Sequence, residues 1–264
     1  FSSNFIHYLI NWSGAYQCGN SSSNSLNKFC IINQQCPYSI TCSNHTINIA
    51  IDGPGGAGKS SISRTVAREL GFIHADTGAL YRAIGLYAIR SNCLENGAVA
   101  QEIDNIHVEL KFIGGVQRVL LNGEAVTDYI RSPEVSMAAS KVSAVPEVRA
   151  LLLDLQKKIA AENNVIMDGR DIGAVVLPDA DLKIYLTASA QERASRRYLE
   201  LREKPDCPSY EQILADIEAR DYADMHREIA PLQQAKDAVL LDTTNMGFNE
   251  VVEHITGMIQ KIMN

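Results

Sequence analysis

From residue 47 onward the chain alternates short apolar runs with longer stretches of helical periodicity. The runs at residues 47–51, 72–75, 165–167, 182–186 and 239–241 are each followed by a polar or charged cluster, the pattern of parallel strands buried on both faces. Residues 60–70, 79–90, 146–161, 190–203, 210–222 and 249–262 read as helices. The first has Ile62, Val66 and Leu70 at four-residue spacing, and the last carries Val251, Ile255, Met258, Ile259 and Ile262 on one stripe. The alternation predicts an α/β fold, a doubly wound five-stranded parallel sheet with helices on both faces. Its ligand should lie beyond the C-terminal ends of the strands.

Between residues 103 and 145 the period changes from helix to strand. Ile106, Val108, Leu110 and Phe112 alternate, Gly114-Gly115 can turn, residues 116–121 resume as strand, and Asn122-Gly123 is a hairpin signal. Ser132-Pro133-Glu134 then supplies an N-cap, a proline at the first helical position and an early acid, opening a helix to about Val142. A small antiparallel β plus helix subdomain is therefore expected as an insert, placed to help hold a second substrate.

The junction after the first strand carries the chemistry. Gly53-Pro54-Gly55-Gly56-Ala57-Gly58-Lys59-Ser60 spells GxxxxGK[ST] between a strand and a helix. At average residue usage, chance delivers this spacing in about 1% of chains this long. Glycines let backbone N–H groups turn toward an anion, the helix N-terminus adds positive dipole, Lys59 reaches the β and γ phosphates, and Ser60 can ligate Mg²⁺. The loop, with Ser61 beside it, predicts a site for ATP or GTP. A guanine-reading NKxD motif is missing at the late position where one would serve a GTP switch, since Asn245-Met246-Gly247-Phe248 lacks both Lys and Asp.

Composition divides the 264 residues near residue 46. The first 46 hold 16 Asn plus Ser, no acidic residue, and Lys28 as their one formal charge, while all 31 acidic residues lie beyond. Such polar sequence is expected to stay disordered and non-catalytic, as a fragment, leader or upstream extension. Being Ser-rich and acid-poor, it leaves organelle import open as an alternative to a cytoplasmic setting. Four of the six cysteines, Cys18, Cys30, Cys36 and Cys42, fall there without a CxxC pair. A net charge of -7 argues against nucleic acid as a partner, though not against a basic pocket. Without a run of ~18 apolar residues, no membrane span is expected.

Three charged clusters then follow strand or helix ends. They are Asp76-Thr77-Gly78-Ala79-Leu80-Tyr81-Arg82, Asp168-Gly169-Arg170-Asp171, and Arg220-Asp221-Tyr222-Ala223-Asp224-Met225-His226-Arg227. One such cluster alone is ordinarily solvated surface. Beside a phosphate loop, they offer arginines for phosphates and carboxylates for a sugar or base.

IAIDGPGGAGKSS, DTGALYRA, DGRDIG and ARDYADMHREIAPL occur in the order seen in the bacterial-type cytidylate kinases, and residues 47–264 resemble that family of P-loop nucleoside monophosphate kinases. The resemblance implies transfer of the γ-phosphoryl of MgATP to CMP and dCMP, by a cytoplasmic monomer. It makes about residues 103–149 the acceptor-binding insert and about 189–208 a helical lid. Arg82, Arg170 and Arg227 fall where the family's acceptor-phosphate arginines fall. Ser140, Arg149 and Asp171 match the positions that read the base, Arg220 and Asp224 those that touch the ribose, and Asp76, Thr77 and Tyr81 line the acceptor side. Lys59, Arg170, Arg227 and Arg197 would act on the transferred group, with Ser60 as the metal ligand. Asp168 would orient metal-bound water or cap the adjacent turn. Two positions depart from the family pattern: Lys141 stands where Gln is frequent, and Thr77 where some members have Ser.

The implied chemistry is self-consistent. Guanidinium forks suit phosphate oxygens and keep their charge near neutral pH. Cytosine presents an amino donor beside acceptors, so Asp171 can accept while Arg149 donates; uracil reverses the pattern at two positions and would leave buried polar groups unpaired. Such sites can discriminate by as much as ~10⁴ to 10⁵. In the lid, Arg193, Arg196, Arg197 and Arg202 with Lys204-Pro205 would close over the nucleotide, or form a solvated helix balanced by Glu192, Glu200 and Glu203. A P-loop kinase for another small acceptor is the nearest rival. Deleting residues 1–45 should leave steady-state turnover unchanged; a large fall in kcat with a folded core would give that segment a role.

Overall fold

The computed structural model describes residues 46–113, 116–203 and 207–264. The polar N-terminal segment with its four cysteines, the Gly114-Gly115 turn and Lys204-Pro205 lie outside the described residues. Five strands form a parallel sheet: β1 (Asn48–Asp52), β2 (Ile73–Asp76), β6 (Val165–Asp168), β7 (Leu182–Thr187) and β8 (Val239–Asp242). Their order is β2-β6-β1-β7-β8, which puts the strand before the phosphate loop at the centre. A three-stranded antiparallel sheet is built from β3 (Val108–Ile113), β4 (Val116–Leu121) and β5 (Glu124–Ala125), with the turn at Asn122-Gly123.

Alternation along the central strands decides which helices cover which face. Ile49, Ile51 and Ile166 pack with Ile62 and Val66 of α1 (Lys59–Leu70) and with Val251, Ile255 and Ile259 of α7 (Phe248–Met263). Ala50, Val165 and Met167 point the other way, to Ile159 and Ala160 of α4 (Pro146–Glu162). Covering both faces explains why these two strands are apolar up to the aspartates that end them, apart from Asn48 at the start of β1. A further apolar cluster joins α2 (Thr77–Arg90), α3 (Pro133–Val142) and α4 to the small sheet. There Gly85 lets α3 approach closely, since a Cβ at that position would lie 2.8 Å from the Ala139 nitrogen. The close contact sets α3, and Ser140 on it, beside the cleft.

Local capping accounts for the helix starts. Ser132 Oγ accepts from Val135 N at 3.2 Å with Pro133 following, as its sequence predicts. Asp76 accepts from Ala79 N at 3.0 Å, so α2 begins at Thr77, two residues earlier than periodicity alone implies. The segment expected to form a lid contains α5 (Ala190–Leu201), which stops short of residue 203, and α6 (Tyr210–His226) runs past residue 222. Tyr222 and His226 stack one turn apart, centroids 4.0 Å, and no Gly or Pro interrupts that last turn. Periodicity also gave no sign of the 3-10 turns over Glu95–Asn105 or of the π-turn Ile172–Val176, where Leu177 N donates to Ile172 O at 2.7 Å.

Gly53 is where the loop leaves the sheet. Its φ is 144°, and a Cβ there would lie 1.9 Å from the Leu186 carbonyl oxygen of β7. Gly53→Ala should therefore destabilise the fold by about 3 kcal/mol or more, read as a lowered Tm; an unchanged Tm would show that β1 and β7 can separate freely there.

Candidate active site

A cleft of about 320 Å³ opens at the C-terminal ends of β1, β2 and β6. Its floor is the phosphate loop, and the three charged clusters of the sequence converge on its walls. Within the loop, buried Lys59 donates from Nζ to Pro54 O at 2.7 Å. Burial, and after it the charge of Arg170, push the Lys59 pKa well below the ordinary lysine value. Ser60 Oγ donates to Asp168 Oδ2 at 2.6 Å, and His74 Nε2 lies 2.6 Å from Asp168 Oδ1. Burial opposes ionisation of Asp168, but the bonds from His74 and Ser60 outweigh it and hold the carboxyl below its usual range. The Asp168 side chain thus serves Ser60 and His74, while its backbone oxygen accepts from Thr77 Oγ1 at 2.8 Å.

Most of the arginines facing the loop are paired with carboxylates. Arg82 Nη2 donates to Asp76 Oδ2 at 2.9 Å, and Arg170 Nε to Asp224 Oδ2 at 2.8 Å. Arg149 Nη2 donates to Asp171 Oδ2, and its guanidinium stands 5.9 Å from the Tyr81 ring centroid. Burial raises the Tyr81 pKa. Arg227 Nη2 lies 3.9 Å from Asp171 Oδ1, too far for a hydrogen bond, while its Nε donates to Ala230 O at 2.5 Å. Arg227 Nη2 and Arg82 Nε are buried without a hydrogen-bond partner. Each is a buried donor for which the described residues supply no acceptor. Arg220 lines the cleft, and desolvation by its walls, then the charge of Arg170, lowers its pKa. Desolvation likewise lowers that of Arg227.

Gly53, Pro54 and Ala57 of the loop are not among the residues that line the cleft; the other sequence-predicted residues fall into two groups. Gly55, Gly56, Gly58, Lys59, Ser60, Ser61, Asp76, Thr77, Tyr81, Arg82, Ser140, Arg149, Asp168, Arg170, Asp171, Arg220, Asp224 and Arg227 all line this one cleft. Arg197 does not line the cleft: it pairs with Glu200 at 2.9 Å, its side chain is 50% exposed, and it lines a neighbouring recess that shares Gly55, Gly56, Glu200 and Arg220 with the cleft. Lys141 also turns away, donating to Glu95 at 2.7 Å, so the departure from Gln at this position does not touch the cleft.

Three residues hold the site together: His74 and Asp52, which sequence reasoning passed over, and Arg193, which it read only as one of the lid arginines. Arg193, one turn before Arg197, is 5% exposed, donates to Gly55 O at 3.0 Å and pairs with Asp221 at 2.6 Å. His74 interrupts an otherwise apolar strand, a signal that was legible. Asp52, directly before Gly53, accepts from Ile172 N and Gly173 N, both at 2.8 Å.

A phosphate loop after the central strand of a five-stranded parallel sheet, faced by arginines across a cleft, defines a P-loop kinase for a small acceptor. Within that class the chain belongs to the cytidylate kinase family, whose profile matches residues 49–261. It is 52% identical over 219 residues to the cytidylate kinase of Caldicellulosiruptor saccharolyticus, covering 82% of this chain and 97% of that one. To the cytidylate kinase of Lactobacillus johnsonii it is 47% identical over 221 residues, covering 83% and 96%. Transfer of a phosphoryl group from ATP to CMP is the activity of this family. Among the described residues no helix is long and apolar enough to cross a membrane.

Asp52 gives the site a testable pH signature. Burial raises its pKa from 3.8 to about 6, against the opposing pull of the Gly173 and Ile172 amides. The folded chain therefore holds this proton more tightly than the unfolded chain. On account of this group alone, stability falls as pH rises from about 4 to about 6 and is level above, by about 3 kcal/mol in all. Denaturant unfolding at about pH 4 and about pH 7 should show the wild type losing more stability over that interval than Asp52→Asn, by roughly this amount. Equal losses would mean Asp52 titrates normally.

Proposed function

We infer that this chain transfers the γ-phosphoryl of MgATP to the 5′-phosphate of CMP, and of dCMP, giving the diphosphate and ADP. The observation that carries the reading is the convergence of Arg82, Arg149, Arg170, Arg220 and Arg227 with Asp171 on one cleft floored by the phosphate loop. The unpartnered donors of Arg82 and Arg227 favour a phosphate between them. Lys59 exchanges its Pro54 contact for the β and γ phosphates of the donor. Ser60 and Asp168 present hard oxygens at the loop's edge, which suits Mg²⁺: Ser60 would ligate the metal and Asp168 would orient its bound water. When bound, Mg²⁺ would neutralise charge on the donor's phosphates.

The acceptor phosphate is already ionised near neutral pH, so the reaction requires no general base. Alignment and neutralisation of the spreading charge are what the chain must supply. Arg170 and Arg227 serve the transferred group from the acceptor side, and Arg197 reaches it only if the lid helix moves inward. Asp171 and Arg149 read the base together, with Ser140 at the rim. Asp224 and Arg220 face the ribose, and Tyr81 backs Arg149 with its ring face. All these groups come from one chain, which supports a monomer as the active unit, working in the cytoplasm where ATP is supplied.

The test is ADP release across CMP, dCMP, UMP and AMP, for the wild type and Asp171→Ala. The wild type should favour CMP and dCMP. Asp171→Ala should lose at least about 100-fold of the CMP/UMP ratio in kcat/KM, with ATP binding nearly intact. An unchanged ratio would refute the base assignment, and equal rates with AMP would point to a different acceptor.

A further inference from the structure

Asp171 is not held by regular secondary structure. Its backbone sits at φ -144° and ψ 24°, between the end of β6 and the π-turn. What fixes it lies on either side. Its carbonyl accepts from Val175 N at 2.9 Å, and the next two amides, Ile172 N and Gly173 N, each donate at 2.8 Å to separate oxygens of Asp52. Asp52 is the last residue of β1, 4% exposed, and its neighbour Gly53 begins the phosphate loop. One buried carboxylate therefore joins the donor loop's root to the backbone that carries the base-facing side chain.

We propose that Asp52 is a positioning residue for acceptor selection, holding Asp171 in register through the backbone amides of Ile172 and Gly173. The proposal rests on the reading of Asp171 as the base-reading carboxylate. The two oxygens of the carboxylate satisfy both amides at once. An asparagine offers one carbonyl oxygen, and its NH₂ group would face the second N–H and push the turn away. The side chain of Asp171 would then swing relative to Arg149, while the glycines that cradle the donor's phosphates keep their own backbone geometry.

Gly173→Ala strains the same joint from the other side. A Cβ there would lie 3.4 Å from Asp52 Oδ2 and 3.1 Å from Lys183 Cδ. Lys183 cannot easily give way, because its Nζ is tied to Pro178 O at 2.5 Å and Asp237 at 2.7 Å. The experiment measures kcat and KM for CMP, UMP and ATP in Asp52→Asn, Gly173→Ala and Asp171→Ala. Asp52→Asn should lower the CMP/UMP ratio of kcat/KM by about 10-fold, mainly through the KM for CMP, with the KM for ATP within about twofold of wild type. Gly173→Ala should move the same quantities in the same direction. Loss of the ratio in Asp171→Ala with the ratio intact in folded Asp52→Asn overturns the proposal alone. A rise in the ATP KM equal to that for CMP overturns it too, because Asp52 would then be serving the loop. Retention of the ratio in Asp171→Ala overturns the base reading and this proposal with it. Should Asp52→Asn not fold, Gly173→Ala, which leaves the carboxylate in place, carries the same outcomes.

Discussion

Like charge must be gathered in one small cleft, and the way this chain keeps it apart governs the rest of the structure. Five arginines and Lys59 face a space of about 320 Å³. Guanidinium groups that close repel one another strongly in a partly desolvated site. Arg82, Arg149 and Arg170 each keep a carboxylate of their own, from Asp76, Asp171 and Asp224, and outside the cleft Arg193 does the same with Asp221. The pairing fixes where each fork points before anything binds, so an incoming phosphate meets arginines that are already oriented.

The sheet supplies the frame for this arrangement. Strands β2, β6 and β1 lie side by side, and they end in Asp76, Asp168 and Asp52. Three carboxylates at adjacent strand ends would repel one another if left alone. Each is occupied differently: Asp76 by the first turn of α2 and Arg82, Asp168 by Ser60 and His74, Asp52 by two amides of the π-turn. The same edge of the sheet thereby anchors the acceptor helix, the start of α1 and the turn beside Asp171. Gly85 serves the same end at one remove, because the close seam between α2 and α3 is what brings Ser140 to the rim.

Strong local patterns made much of this readable in the sequence. Each of the five strands was legible as an apolar run, since strands covered on both faces tolerate few polar side chains, and the loop announced itself by spacing. Charged clusters after strand ends located the cleft residues, because chain direction in a parallel sheet puts all such ends on one side. The unread features depend on contacts between distant segments. Whether Arg193 or Arg197 faces the loop turns on the rotation of α5, and the buried face of that helix is narrow, with Arg193 and Ala194 its only buried residues. Asp52 finds its partners 120 and 121 positions away in a π-turn that no periodicity encodes. The overrun of α6 arises because helix ends without Gly or Pro are settled by packing and capping rather than by the local pattern.

Lys59 is engaged with the carbonyl of Pro54, five residues back in its own loop. That bond ties the loop to itself and gives its buried ammonium an acceptor. On the function proposed above, nucleotide would enter by exchange, one oxygen leaving the ammonium as another arrives. The affinity such a loop displays is accordingly a difference between two good contacts, which keeps the grip on the donor moderate. A shuttle that must release its spent donor on every turnover needs a hold of that kind.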